Sequence, residues 1–295
     1  MTRKGEGPSA AAQWIRETVR TYAAGKANRL RPDGTDDEPA WDEPLVGFSR
    51  GDDPLYERFK ADIGSFVWTP AEAFAAAFPG IDVAPAELTV IAWVLPQTEI
   101  TRRDHAREEK LPAERWALAR KYGEEFNARL HDHVVLTLAQ AGFQAMTPHS
   151  SPHFKRENSP RYGFASSWSE RHAAFASGLG TFGLCEGLIT PKGKAVRLGS
   201  VVARIAVELP ARPYEDSHAY CLYYKDGSCG VCVKRCPAEA VSREGGHDKV
   251  KCRSYNRTIC EKSILERFGI ETYACGLCQV GVPCEAAIPR RAKDK

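Results

Sequence analysis

Two groups of cysteines near the C-terminal end constrain this chain more than any other feature. They read Cys229-Gly-Val-Cys232-Val-Lys-Arg-Cys236-Pro237 and Cys275-Gly-Leu-Cys278-Gln-Val-Gly-Val-Pro-Cys284, and eight of the ten cysteines lie in the last quarter of the 295 residues. A thiolate seeks a soft metal or a partner thiol, and Cys-x2-Cys on one tight turn brings two sulfurs to neighbouring corners of a [4Fe–4S] cube. The proline after Cys236 is the ending of the ferredoxin-type run in which the last cysteine ligates the other cluster.

Two cubes need eight sulfurs, and the count closes if one ligand of each set comes from upstream. Exchanging the fourth member of each set assigns Cys221, Cys229, Cys232 and Cys284 to one cluster and Cys252, Cys275, Cys278 and Cys236 to the other. Cys221 and Cys252 lie at unusually long spacings, and Cys260 is the substitute for Cys252. Two other chemistries use paired cysteines. Zinc ribbons are built on Cys-x2-Cys knuckles, but they explain neither the proline nor the third cysteine of each group. Structural disulfides belong to oxidising compartments, and the start Met-Thr-Arg-Lys-Gly-Glu-Gly has neither the apolar core of a signal peptide nor a twin-arginine pattern. The expected location is the cytoplasm.

With 43% hydrophobic residues, the chain has material for a full core besides the cysteine-rich segment, so a division near 210/211 is expected: residues 1–210 as one domain, residues 211–295 as a ferredoxin-like module. A net charge of +3 does not argue for a nucleic-acid surface, and no DNA partner is expected. The basic tail at residues 289–295 reads as a solvated terminus. No stretch has the apolar length to span a bilayer, since the best candidate, residues 88–95, is strand length. Electrons must therefore come from a partner met in solution, of ferredoxin or flavodoxin type.

Periodicity predicts a helix over residues 13–24, a loop over residues 26–43, and a short helix opened by Thr69 and Pro70. The spacing of Trp116, Ala119, Tyr122, Phe126, Leu130, Val134 and Leu138 predicts a long helix within residues 112–141, stopped by Gly142. A further helix is expected over residues 169–177, and central strands over residues 88–95 and 198–209. Helices and strands mix without a regular βαβ beat, so the fold class is α+β.

Between the two parts runs a glycine-rich segment with Gly178, Gly180, Gly183, Gly187, Gly193 and Gly199. Glycine at this density lets backbone approach a flat or bulky ligand. The string Gly178-Leu-Gly180-Thr-Phe-Gly183 is not read as a dinucleotide fingerprint, because it follows a helix where that motif follows a strand. Together, the Gly-Leu-Gly-x-x-Gly string, Leu188-Ile-Thr-Pro191, Arg197-Leu-Gly199, the two cysteine sets and Lys251-Cys252-Arg-Ser-Tyr255 resemble the epoxyqueuosine reductase and reductive dehalogenase superfamily over about residues 165–288. The resemblance favours Cys252 over Cys260 as a ligand. It implies a nitroreductase-like α+β domain holding base-off cobalamin, fed one electron at a time by two [4Fe–4S] clusters. Carried over, Gly178, Leu179, Gly180, Phe182, Gly183, Leu188, Ile189, Thr190, Pro191, Gly193, Arg197, Leu198, Gly199 and Ser200 border the corrin and its tail.

The chain also departs from that pattern. An Asp-Ser-x-Pro string expected before the glycines, with its proton-donating aspartate, is replaced by Phe164-Ala-Ser-Ser-Trp168-Ser-Glu170-Arg-His172. Glu170 or His172 stands where a substitute acid would sit; alternatively they are an ordinary helix-start glutamate and a core or surface histidine. Leu184 and Cys185 replace a lysine or asparagine, and Cys185 either touches the cofactor or is a small buried hydrophobe. His149 and His153 are candidate cobalt ligands or solvated loop residues. The implied activity is that of an iron–sulfur and corrinoid-dependent reductase acting on a small molecule or a modified nucleoside. The competing readings are an electron carrier without its own cobalt site and a zinc-stabilised RNA-binding module.

Overall fold

The computed structural model describes residues 7–32, 34 and 37–290. The start of the chain and residues 291–295 of the basic tail lie outside the described residues. The centre is a four-stranded antiparallel sheet in the spatial order Leu45–Arg50, Thr89–Pro96, Val196–Ala203, Ala145–Met146. Its register pairs Leu45 with Val94, Thr89 with Ala203, Pro96 with Val196, and Met146 with Val202.

All eight residues of Thr89–Pro96 are buried, as its continuous apolar run requires. Alternation along the pleat then divides the core. Ile91, Trp93 and Leu95 face the N-terminal helix Pro8–Ala24 and the long helix Glu114–Gln140. Val90, Ala92 and Val94 face the opposite side, where Phe74, Ala174 and Phe175 of Pro70–Ala77 and Glu170–Ala176 pack. The sheet is thus covered by helices on both faces, which gives an α+β body.

The expected helices form for the expected reasons. Thr69 caps Pro70–Ala77 in a capping box with Glu72. The 27-residue helix buries the whole stripe except Tyr122, which is half-buried, and Gly142 follows with φ +85°. The N-terminal helix begins at Pro8, ahead of the expected residue 13, and one strand also differs in its bounds. The strand expected over residues 198–209 is Val196–Ala203, because its partner strand begins at Thr89 and leaves nothing to pair beyond Ala203. The apolar residues that follow pack as irregular chain, with Glu208 N–H bonded to Pro8 O at 3.0 Å and Val207 and Leu209 against the core.

The cysteine-bearing end consists of short elements: Leu222–Asp226, Val231–Lys234, a small hairpin of Val241–Ser242 with Gly246–His247, and the helices Lys249–Tyr255 and Glu261–Phe268. Its core is not separate from the rest. Ile264, Ile270, Ala274 and Val280 belong to the same buried cluster as Trp116 and Phe126. His105 Nε2 lies 2.7 Å from Cys275 O. No helix among the described residues is long and apolar enough to cross a membrane.

Candidate functional site

All ten cysteines are unpaired. Cys221, Cys229, Cys232 and Cys284, the crossed set expected from the sequence, line one small cavity together with Leu184 and Lys194. Local structure delivers each sulfur. Cys221 precedes the turn Leu222–Asp226, Cys229 and Cys232 flank the start of Val231–Lys234, and Cys284 lies in a turn closed by Glu285 N–H on Val282 O. The Arg235 guanidinium ties this group to the other, with Nε donating to Leu277 O at 3.3 Å and Val280 O at 3.1 Å.

The second set is less converged. The Cys275 and Cys260 thiols are hydrogen-bonded to each other, with Cys260 fully buried, while Cys278 is hydrogen-bonded to Cys185. Cys236 accepts Ala240 N–H at 3.3 Å. Cys252 lies against His247 and Asn256 Nδ2, the latter at 3.7 Å. Burial would lower the His247 pKa, but Cys252 and Glu186 raise it to about 9. Both Cys252 and Cys260 therefore lie beside this group. Among the described residues no three of His, Cys, Asp and Glu converge tightly enough to hold a single ion. A cube ligated at its corners spreads its thiolates more widely, so the first set fits a cluster.

Cys185 lies between the two groups. It is 5% exposed and touches Cys232 of one set and Cys278 of the other. Lys194 Nζ donates to its sulfur at 3.2 Å. Nothing in Pro191-Lys192-Gly193-Lys194 announces a buried lysine, since such a string reads as solvated turn; the only hint is the apolar strand that begins two residues later.

The glycine segment follows the helix Glu170–Ala176 and becomes a hairpin of Thr181–Phe182 with Leu188–Ile189, as its exclusion from a dinucleotide fold requires. The missing side chains are matched by the protein's own atoms. A Cβ on Gly180 would lie 2.3 Å from Ile189 O, on Gly193 2.0 Å from Glu285 O, and on Gly199 2.5 Å from Trp93 Cε2. Leu179, Leu188, Ile189, Thr190, Leu198 and Ser200 are buried, Gly178, Phe182 and Arg197 are half-buried, and Pro191 is exposed. Glycine is thus required by chain packing at Gly180, Gly193 and Gly199, whereas a Cβ on Gly178, Gly183 or Gly187 would lie no nearer than 3.3 Å to another atom. His149 and His153 are exposed.

The candidate acids sit on the first turn of Glu170–Ala176, over the central strand. Trp168 Nε1–H donates to Ser200 Oγ at 2.9 Å, and the Ser200 hydroxyl donates to Glu170 Oε2 at 2.5 Å. The other carboxylate oxygen of Glu170 is buried without a partner. Burial pushes the Glu170 pKa up to about 7, against the opposing pull of Ser200 and Arg197. Behind Ser200, its backbone N–H donates to His131 Nε2 at 3.2 Å, since the ladder on that edge ends at the Val202–Met146 pair. His131 Nδ1–H donates to Asn127 O at 2.7 Å, and Asn127 Oδ1 accepts Trp93 Nε1–H at 2.9 Å. Asn127 and His131 escaped the sequence reading because they hide within the apolar stripe of the long helix.

His172 is packed between Phe59 and Phe182 at ring distances of 4.6 and 5.0 Å, and burial lowers its pKa to about 3. It is neutral near pH 7, so of the two candidates only Glu170 exchanges an acidic proton near that pH. A second, small cavity adjoins this turn, walled by Tyr56, Phe59, Trp68, Trp168 and His172.

No protein-family model matches the chain. Its fold is shared with a reductive dehalogenase whose structure was described with a mechanism for B12-dependent dehalogenation, at TM-score 0.52 and 14% identity over 88% of this chain and 32% of that one. The chain is similar in fold to that dehalogenase and, over part of its length, in sequence to a class of reductases. The curated relatives it resembles are epoxyqueuosine reductases: one from Bacillus anthracis, 29% identical over 119 residues, and one from Staphylococcus aureus, 31% identical over 130 residues. These matches cover 39% and 43% of this chain but only 29% and 32% of those proteins.

Proposed function

We propose that the chain is an iron–sulfur reductase whose residues 211–295 hold two [4Fe–4S] clusters. The carrying observation is the crossed set Cys221, Cys229, Cys232 and Cys284 around one cavity. Cys236, Cys275 and Cys278 hold the second cluster with Cys252, which the resemblance favours. Bound clusters supply single electrons at low potential. The chain's own residues do the rest. Arg235 locks the two cysteine groups together, and Glu170, held by Ser200 and Trp168, keeps a proton at neutral pH for delivery beside the aromatic cavity. The substrate class is a small molecule or a modified nucleoside, consistent with the reductive chemistry of the relatives. The physiological donor is a soluble one-electron carrier of ferredoxin or flavodoxin type.

No step is assigned to a corrinoid, because the chain's own atoms occupy the spaces beside Gly180, Gly193 and Gly199. The same observation favours a second reading, in which the clusters pass electrons to a partner protein or its corrinoid. Anaerobic purification from cells supplied with cobalamin, followed by iron, sulfide and cobalt analysis, separates the readings. About eight irons without cobalt are expected. One cobalt per chain would restore the corrinoid site, and a colourless, iron-free protein would remove the proposal.

A further inference from the structure

The reduction chemistry above leaves one buried charge without a role. Lys194 is 2% exposed and stands on the wall of the cysteine-lined cavity. Its ammonium donates to Cys185 Sγ at 3.2 Å, and the other groups acting on it are Cys284 and Cys232 of one set and Cys278 of the other. Among the described residues no carboxylate pairs with it. Glu285, adjacent through the backbone, is turned away to Arg102 at 3.6 Å and to Gly281 N–H at 2.5 Å.

The main chain fixes this position. Lys194 N–H donates to Cys284 O at 2.9 Å and Glu285 O at 3.2 Å. Thr190 and Gly193 close the preceding turn on each other, with the Thr190 hydroxyl donating to Gly193 O at 2.8 Å. A buried ammonium without a counter-ion is strongly unfavourable. A cube carrying four thiolates is an anion, and reduction adds one further negative charge to it. Net charge and hydrogen bonding around the sulfurs are the terms by which a protein sets a cluster's potential.

Resting on the cluster reading, we propose that Lys194 is the potential-setting residue of the electron relay. Its positive charge, held by Cys185 where the two cysteine sets meet, stabilises the reduced form of the cluster bound by Cys221, Cys229, Cys232 and Cys284. The step takes one electron from an external one-electron reductant, breaks no bond and moves no proton, so a fixed cation suffices to offset the added charge.

The test is a dithionite titration of the cluster-loaded full chain, monitored by electron paramagnetic resonance, with iron and sulfide measured on each sample. Lys194→Met keeps the length and loses the charge, Lys194→Gln keeps an N–H donor and loses the charge, and Lys194→Arg keeps the charge. The uncharged variants should retain wild-type iron and show at least a tenfold lower ratio of reduced to oxidised cluster at a fixed potential, about 59 mV downwards for one electron. Lys194→Arg should stay close to wild type. Uncharged variants that load iron and titrate like wild type overturn the inference alone. Iron lost from both uncharged variants but kept in Lys194→Arg assigns the charge to cluster assembly and also overturns it. A wild-type chain that never binds iron overturns the cluster reading itself, and this inference with it.

Discussion

At the scale of single residues, Glu170 is the side chain whose environment makes the sharpest statement. Its carboxyl is buried, one oxygen bonded to Ser200 and the other without a partner, and its pKa is raised from 4.5 to about 7. Below pH 4.5 the group is protonated in both the folded and the unfolded chain. Between pH 4.5 and 7 the unfolded chain loses the proton while the folded one keeps it, so this residue's contribution falls as pH rises, by on the order of 3 kcal/mol. Glu170→Gln should therefore be more stable than wild type at pH 8 and nearly equal at pH 4, as read by urea unfolding at both values. A constant difference across that range would mean the carboxyl is ionised when folded. If Glu170 also supplies the proton, the same variant should lower turnover at least a hundredfold while leaving cluster reduction unchanged.

At the scale of elements, turns carry more than their length suggests. Gly193 has φ +79°, and a Cβ there would lie 2.0 Å from Glu285 O and 2.4 Å from Ala286 N. Gly193→Ala has to strain the backbone and push that segment away, so it should destabilise the chain by at least about 2 kcal/mol in thermal melting. It should also loosen Cys284 and release iron on mild chelation, which a purely local strain would not do. Thr69→Ala, far from the cysteines, removes the capping box of Pro70–Ala77 and should cost about 1 kcal/mol without altering iron content. The contrast separates turns that hold the site from caps that hold only their own helix.

At the scale of the whole molecule, the cysteine-rich end shares its core with the sheet-bearing body through Ile264, Ile270, Ala274 and Val280. Metal binding and folding are coupled when ligands organise short elements. Cys229→Ala should lose about four irons, and its remaining unfolding should move to lower temperature as one transition, with visible absorbance and near-ultraviolet circular dichroism changing together. Two separate transitions would mean that residues 211–295 unfold independently, as the sequence division near 210/211 anticipates.

Much of this was legible in the chain itself. The buried strand Thr89–Pro96, the long helix and the Thr69 cap all follow from short-range pattern, because periodicity and capping are local constraints. What escaped depends on partners distant in sequence. The strand stops at Ala203 because its neighbour begins at Thr89. Lys194 is buried because the Gly193 turn docks on Cys284 and Glu285. Asn127 and His131 become polar supports of Ser200 only once the long helix lies on the sheet. Even the glycines, whose density suggested room for a ligand, were explained only in three dimensions, where Ile189, Glu285 and Trp93 fill the space they leave. Local spacing by itself determined which chemistry this chain can host. Tertiary packing decided which charges are buried, which spaces stay open and which carboxyl keeps its proton, because desolvation and close contact depend on what the rest of the fold brings alongside.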